Sequence, residues 1–485
     1  MALSIILAGL SVLAAGPAFI TYEQFGAVGD GVHDDQSAII AAHNAANEKH
    51  LSVKAKDGAT YYIGGGSDVA VIRTDVDFGT ARFIIDDVNV ENRNASVFRV
   101  ESYLEPYEVE GVGPLKKGQK NLGVKLPQRS LVEITDSSKR VYIRRGANQD
   151  NGSAQTEVAV VEKDGTVRAS APLVWDFDNL KVKAWPIDSE RLTIKGGTFV
   201  TVANKAESKY NYHSRNIVIT RSNVVVELLS HYIVGEGDHG APYGGFISVS
   251  HAADVEVRDC LLTPHRTYGT IGSAGVPVNM GSYDIDASSS VGLTVRHLRQ
   301  TISIDDGAYW GLFASNYCKD IRMEDCVISR FDAHKGVCNV TLTDCTFGYM
   351  GVQFVGFGTA LMQNCEVHRD KMVWLRSDYG SSWDGEVIIR DCRLIIPQGA
   401  NAAYVMEGSN DGHHDFGYDC TLPRRVEIDG LYIDDSAAGE KYRGPAVYNS
   451  FDRNWDEAGL FPFPSDGKVI IKNVTTASGK KIVVR

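Results

Sequence analysis

From about Arg191 onward the chain alternates apolar and polar positions with a period of two, in short runs separated by polar turns. One phrase keeps returning. It reads Asp254-Val-Glu-Val-Arg-Asp-Cys260, Asp320-Ile-Arg-Met-Glu-Asp-Cys326, Asn339-Val-Thr-Leu-Thr-Asp-Cys345, Thr359-Ala-Leu-Met-Gln-Asn-Cys365 and Glu386-Val-Ile-Ile-Arg-Asp-Cys392, with looser copies ending at Gly197, Ser222, Leu298, Leu431 and Val474. Period-two alternation places one set of side chains on one face of a strand. The shortest steps, 19 residues from Cys326 to Cys345 and 20 from there to Cys365, match three short strands and three turns. Longer steps are the same coil with inserted loops, or two coils with one unrecognised. The pattern predicts a parallel solenoid, in which stacked coils bury a continuous core that no single coil could bury alone.

Five of the eight Cys occupy one place in this phrase, directly after Asp or Asn. Equivalent positions of successive coils stack, so these thiols are expected to form an inward ladder of small apolar groups. No C-x-x-C spacing supports a zinc or redox site.

Ahead of the repeats stands Phe25-Gly-Ala-Val-Gly-Asp-Gly-Val-His-Asp-Asp-Gln-Ser-Ala-Ile-Ile-Ala-Ala-His43. Gly29-Asp30-Gly31 is a turn signal, and Asp34 or Asp35 is placed to cap a helix starting at Gln36. Such a helix seals the apolar end of a solenoid. This phrase resembles the opening of the pectate-lyase-like superfamily of right-handed parallel β-helices, which includes polysaccharide lyases, polygalacturonase-like hydrolases and phage tailspikes. Thr60 to Asp87 continues the likeness. The resemblance implies an all-β, right-handed parallel β-helix with an N-terminal capping helix, and through the repeat it covers nearly the whole chain. Residues from about 101 to 190 fit the repeat badly and are expected to form a strand-rich insertion against the flank, within one domain spanning 19–485.

Composition adds limits. With 43% hydrophobic and 23% charged residues, 48 Gly and 14 Pro, the chain suits many tight turns between short strands. A net charge of −12 argues against a nucleic-acid partner, which normally meets a basic stripe. The apolar run Leu3 to Ala18, ending Ala-Ala-Gly-Pro-Ala, has the look of a signal peptide, so residues 1–18 are assigned to export and the protein to a secreted or periplasmic place. That run is short for a membrane span, and no other stretch is long enough, so no membrane partner is expected. The expected state is a monomer or small homo-oligomer.

The motif names the fold and leaves the reaction open. Neither the Gly-His-Gly and Arg-Ile-Lys of polygalacturonase-like hydrolases nor the Trp-Ile-Asp-His of pectate lyases is present. Polar and aromatic residues instead crowd between the phrases ending at Leu298 and Leu431: Tyr309-Trp310, Arg330-Phe-Asp332-Ala-His334-Lys335, Gln353, Trp374-Leu-Arg376-Ser-Asp378-Tyr379, Glu407, and His413-His414-Asp415. Counting back from the following Cys, Ser315, His334 and Gln353 are expected on one stacked row, with Arg376 in the next coil. Elimination at a uronate needs a cation to neutralise the carboxylate, a base for the proton beside it, and an acid for the leaving oxygen. Arg376 and Lys335 suit the first role; His334, His414 or Tyr379 suit the proton transfers, with Asp332 beside them. Tyr309, Trp310, Arg330, Gln353, Trp374 and Glu407 are assigned to substrate binding. The favoured function is lyase action on an acidic polysaccharide. Hydrolysis needs two facing carboxyls, for which Asp305, Asp306, Asp332, Asp378, Glu407 and Asp415 are candidates. A non-catalytic glycan-binding fibre or adhesin is the third class, although no coiled-coil or β-prism tail is recognisable. Tyr283-Asp284 and His239 are placed in loops that wall the cleft, and His213, His231, His251, His265 and His297 are read as structural. Some relatives use Ca2+, but no Asp cluster of loop-type spacing compels it, and no cofactor is assigned.

Overall fold

The computed structural model describes residues 19–144, 149–311, 313–408, 416–449 and 468–484. Its backbone winds as a right-handed parallel β-helix, so the solenoid pattern translates directly into coils. One inward column shows the stacking. Ile20, Val53, Val76, Ile194, Val226, Val257, Val295, Met323, Leu342, Met362, Ile389, Ile428 and Ile471 follow one another in parallel register. The repeated phrase forms this sheet, here called the first. The second sheet follows it around the next corner, through strands such as Leu261–Leu262 and Arg299–Gln300. The third carries Ile247–Ser250, Ile285–Ser288 and Phe313–Asn316. Val327–Thr343 and Thr346–Gln363 run unbroken around the corners and contribute to all three.

The residue before each phrase Cys explains why the phrase recurs. Asp259, Asp325, Asp344, Asn364 and Asp391 all adopt left-handed backbone, with φ between 46° and 54° except Asp344 at 55°. Asp and Asn tolerate this conformation because their short polar side chains bond locally. The corner then turns the following Cys inward. Cys260, Cys326, Cys345, Cys365 and Cys392 are buried and free, and each Sγ–H points to the carbonyl two residues back at 3.1–3.4 Å. Packing, not cross-linking, holds the ladder.

At the N-terminal end, helix α1 (Gln36–Lys49) buries Ala38, Ile39, Ala42 and Ala46 over the first coils. Its entry differs from the expected cap. Asp34 Oδ1 accepts from the Gln36 amide at 3.0 Å, whereas the Asp35 carboxylate turns away to take the Val28 and Gly29 amides at 2.7 and 3.1 Å. Asp35 thus fastens the glycine turn to the helix. Gly29 has φ +68°, and a Cβ there would press to 3.1 Å on Ala59, so the turn needs glycine on both counts.

The insertion is a four-stranded antiparallel sheet of Tyr107–Glu108, Ser130–Val141, Ser153–Val161 and Lys181–Pro186. It has its own core around Leu115, Val132, Ile134, Phe177 and Val182. It docks on the corner that opens the phrases: Arg168 grips Asp254 at 2.7 and 2.8 Å, Ser170 donates to Asp320 at 2.7 Å, and Asn339 donates to the Ser170 carbonyl at 2.8 Å. Buried Lys319 pairs with Glu157 of the insertion.

Candidate active site

The third sheet presents one outward row that runs Ser248, Asp286, Asp332, Gln353, Trp374 and Glu407 in parallel register, with the Ala314 backbone paired between Asp286 and Asp332. Its inward neighbours, such as Phe313 stacked on Phe331 at 5.1 Å, are core. Asp332 is the hub of the polar cluster. It is fully buried, yet its Oδ1 lies 2.7 Å from Arg376 Nη1, and its Oδ2 meets Arg330, His334 Nε2 at 2.7 Å and the donating hydroxyl of Tyr283 at 3.3 Å. Two guanidinium groups outweigh the desolvation of its charge and hold the carboxyl well below its usual range, so Asp332 is an anion.

His334 reaches this hub through a bulge. Ser315 pairs with Ala333, but the next pair is Asn316 with Lys335, so His334 is the extra residue on its strand. Bulges re-aim side chains beside active sites. Counting back from Cys cannot see such irregularities, and the expected row of Ser315, His334 and Gln353 is corrected here. Ser315 is an inward residue between Ala287 and Ala333, Gln353 stands on the outward row beside Asp332, and His334 lies between rows. Burial pushes the His334 pKa down more than Asp332 raises it, leaving a neutral imidazole at pH 7.

Around this pair the sequence-assigned residues divide. Gln353 Oε1 accepts from Arg330 at 2.9 Å and from Arg376 at 3.4 Å. Arg376 is clamped by Asp378 through contacts of 3.1 and 2.8 Å. Tyr379 is buried, and half-buried Lys335 lies 5.4 Å above its ring. Burial lowers the Lys335 pKa. Trp310 covers Arg330 at 5.0 Å, and Trp374 faces Arg376 at 5.8 Å. Glu407, at the end of the row, is paired with Lys371 at 2.6 Å. Tyr309 is drawn away, its backbone bridged to Arg266 on the flank. Asp305 is turned to His368 at 3.1 Å. His413, His414 and Asp415 lie outside the described residues. Trp383 fills the coil.

Several residues escaped the sequence reading. Tyr283, rated a wall residue, stands inside the cluster, with its ring 6.3 Å from His334. Arg144, from the insertion, bonds Asp378 at 2.6 Å and Tyr379 Oη at 3.2 Å, from more than 230 positions away in the chain. Tyr212 overhangs the row, 37% exposed, with its phenol pushed up to about 12 by enclosure and the neighbouring Tyr210. Asp286 shares the row with Asp332, and burial raises its carboxyl to about 6. Only its rank in the register identifies it. Of the histidines read as structural, His231, His251, His265 and His297 pair with Asp284, Glu133, Glu236 and Asp259 at 2.8–3.2 Å. His213 differs, being buried with neither ring nitrogen hydrogen-bonded among the described residues. No group of three or more His, Cys, Asp or Glu side chains among the described residues converges on a metal position.

No protein-family model matches the chain, and no curated protein resembles it closely enough to register. Solved structures do. The tailspike protein gp49 from Pseudomonas phage LKA1 superposes with a TM-score of 0.56 at 14% identity, over 94% of this chain and 81% of that one. The Pseudomonas phage phi297 tailspike gp61 gives 0.53 at 11% identity, over 95% and 81%. The chain has the right-handed parallel β-helix fold. At such identities the likeness speaks for the scaffold, and the chemistry rests on the residues of the row.

Proposed function

We propose that this chain cleaves a uronate-bearing polysaccharide by β-elimination. The observation that carries the reading is the Asp332–His334 pair: a buried anion holding a neutral, partly exposed imidazole next to Arg376 and Lys335 on an outward, aromatic-flanked row. A carboxylate partner fixes the ring and stabilises the imidazolium that forms when the base takes a proton. Asp332 makes Nε2 the proton-bearing nitrogen, so Nδ1 keeps the lone pair. Lys335, half-buried and without an ion pair among the described residues, supplies charge for a sugar carboxylate, with Arg376 behind it. Trp310, Trp374 and Tyr212 offer faces for sugar rings. Coils are spaced by about 4.8 Å, which lets neighbouring rows act on one sugar unit.

Hydrolysis asks more of Asp332 than its surroundings allow. A nucleophile or general base must reach the sugar, and Asp332 has no exposed surface and four partners. Of the other candidates, Asp378 is engaged by Arg376 and Arg144, Glu407 by Lys371 and Asp305 by His368, Asp306 stands exposed, and Asp415 lies outside the described residues.

The test is a screen against polygalacturonate, alginate and hyaluronan that follows ultraviolet absorbance and reducing ends together. Absorbance rising with reducing ends, and lost in His334→Ala, supports elimination. Reducing ends without absorbance make the protein a hydrolase. Silence on both, with binding retained, moves it to the glycan-binding class.

A further inference from the structure

We infer that Asp286 is the acid that protonates the departing glycosidic oxygen, completing the site with a group opposite His334. This rests on the elimination reading above. Asp286 and Asp332 occupy the same outward row with Ala314 between them, two coil steps apart. At about 4.8 Å per step their Cα atoms are ~10 Å apart. That spacing leaves room for one sugar between the Asp286 carboxyl and the imidazole that Asp332 holds.

The surroundings of Asp286 are built differently from those of the hub. Among the described residues no cation pairs with it; its carboxyl is hydrogen-bonded to the Ser248 side chain and the Gly245 backbone, and its Oδ1 has no partner. Gly244 and Gly245 lie alongside. A Cβ on Gly245 would come within 2.4 Å of the Asp286 amide nitrogen, so the two backbones meet here at a distance only glycine permits, and a Cβ on Gly244 would lie 3.8 Å from Asp286 Oδ2. Tyr212 lies close enough to feel the charges of both Asp286 and Asp332. Desolvation raises the Asp286 carboxyl to about 6, whereas paired Asp332 stays ionised. Two carboxyls pushed apart in this way mark separate acid and charge-holding roles. The neighbouring Asp284 is also raised by burial, but it is fully enclosed against His231 and cannot meet a substrate.

For a 4-linked uronate the step balances as follows. The C5–H bond breaks and its proton goes to His334 Nδ1. The electron pair first rests on the sugar carboxylate as an enolate, from which a proton or deuteron can return to C5; it then forms the C4=C5 double bond as the C4–O bond breaks, and the departing oxygen takes the Asp286 proton. Water restores both groups.

The test compares wild type, Asp286→Asn and His334→Ala on polygalacturonate, alginate and hyaluronan in D2O. Ultraviolet absorbance follows cleavage, and NMR follows deuterium entering at C5 of the uronate. Asp286→Asn should cleave at least 100-fold more slowly while deuterium still enters, because the base is intact; His334→Ala should lose both. Near-wild-type cleavage by Asp286→Asn overturns the assignment. So does equal loss of cleavage and exchange in a variant whose thermal unfolding is unchanged, which points to binding. A wild type that neither cleaves nor exchanges refutes the elimination reading itself, and the assignment falls with it.

Discussion

Replacing Asp332 with Asn tests whether the hub is held together by charge. The substitution keeps the shape and removes the anion, leaving Arg330 with Gln353, the Tyr283 hydroxyl and the Trp310 face as its partners. Arg376 fares better, since Asp378 still binds it at two points. Removing one partner of a buried ion pair costs about 3–5 kcal/mol, because the other charge stays buried. Asp332→Asn should therefore lose stability in that range in urea unfolding at pH 7. Asp332→Asn with Arg330→Met should recover part of it, since the stranded charge is gone. The pH dependence gives a second check. The folded carboxyl is depressed, so its contribution is present above the unfolded value of about 3.9 and fades as pH falls below it. Wild type and variant should converge only in that acidic range. A pH 7 difference under about 1 kcal/mol, or a double variant less stable than Asp332→Asn, would refute the charge-hub account.

Other outcomes follow from the same physics. The log of kcat/KM against pH should be a bell in the mildly acidic range, falling on the acid side as His334 protonates below 6.5 and on the alkaline side as Asp286 ionises near 6; Asp286→Asn should lose the alkaline limb. Arg144→Ala should lower kcat by roughly 10- to 100-fold with little change in thermal stability, because it frees Asp378 and lets Arg376 shift. His43, buried under the cap and lowered to about 3, stays neutral in the fold while the unfolded chain takes up a proton below 6.5. At 1.36 kcal/mol per unit, the cap should lose roughly 5 kcal/mol between pH 6.5 and 3, measurable as accelerated amide exchange in α1.

What the sequence revealed was local. An Asp or Asn in left-handed backbone followed by an inward thiol needs no distant partner, so Asp325-Cys326 or Asp391-Cys392 marks its corner wherever it stands. The same holds for the density of Arg330 to Lys335 and Trp374 to Tyr379. What escaped depends on register. The bulge at His334 displaces one residue and undoes a count made from Cys345. Asp286 sits in a bland strand, Ile285-Asp-Ala-Ser288, and becomes notable only when the coils are aligned and it falls in line with Asp332. Arg144 needed the insertion to dock before it could be seen at Asp378.

The division between these two kinds of residue has a chemical consequence. On a solenoid, outward rows are ordinarily wet, and a charged side chain there would be well solvated and weakly held. This row is dry at Asp332 because Arg330, Arg376, His334 and Tyr283 close on its carboxylate, with Trp310 and Gln353 against Arg330, while Arg144 of the insertion holds Asp378 beside them. Low local dielectric strengthens every interaction inside it. The arginines are thereby fixed before any sugar arrives and need not reorganise as charge develops. Lys335, on the bulged strand, is held among the described residues against the Tyr379 ring, which under the elimination reading leaves it as the cation in front, able to meet a carboxylate, with the fixed arginines behind.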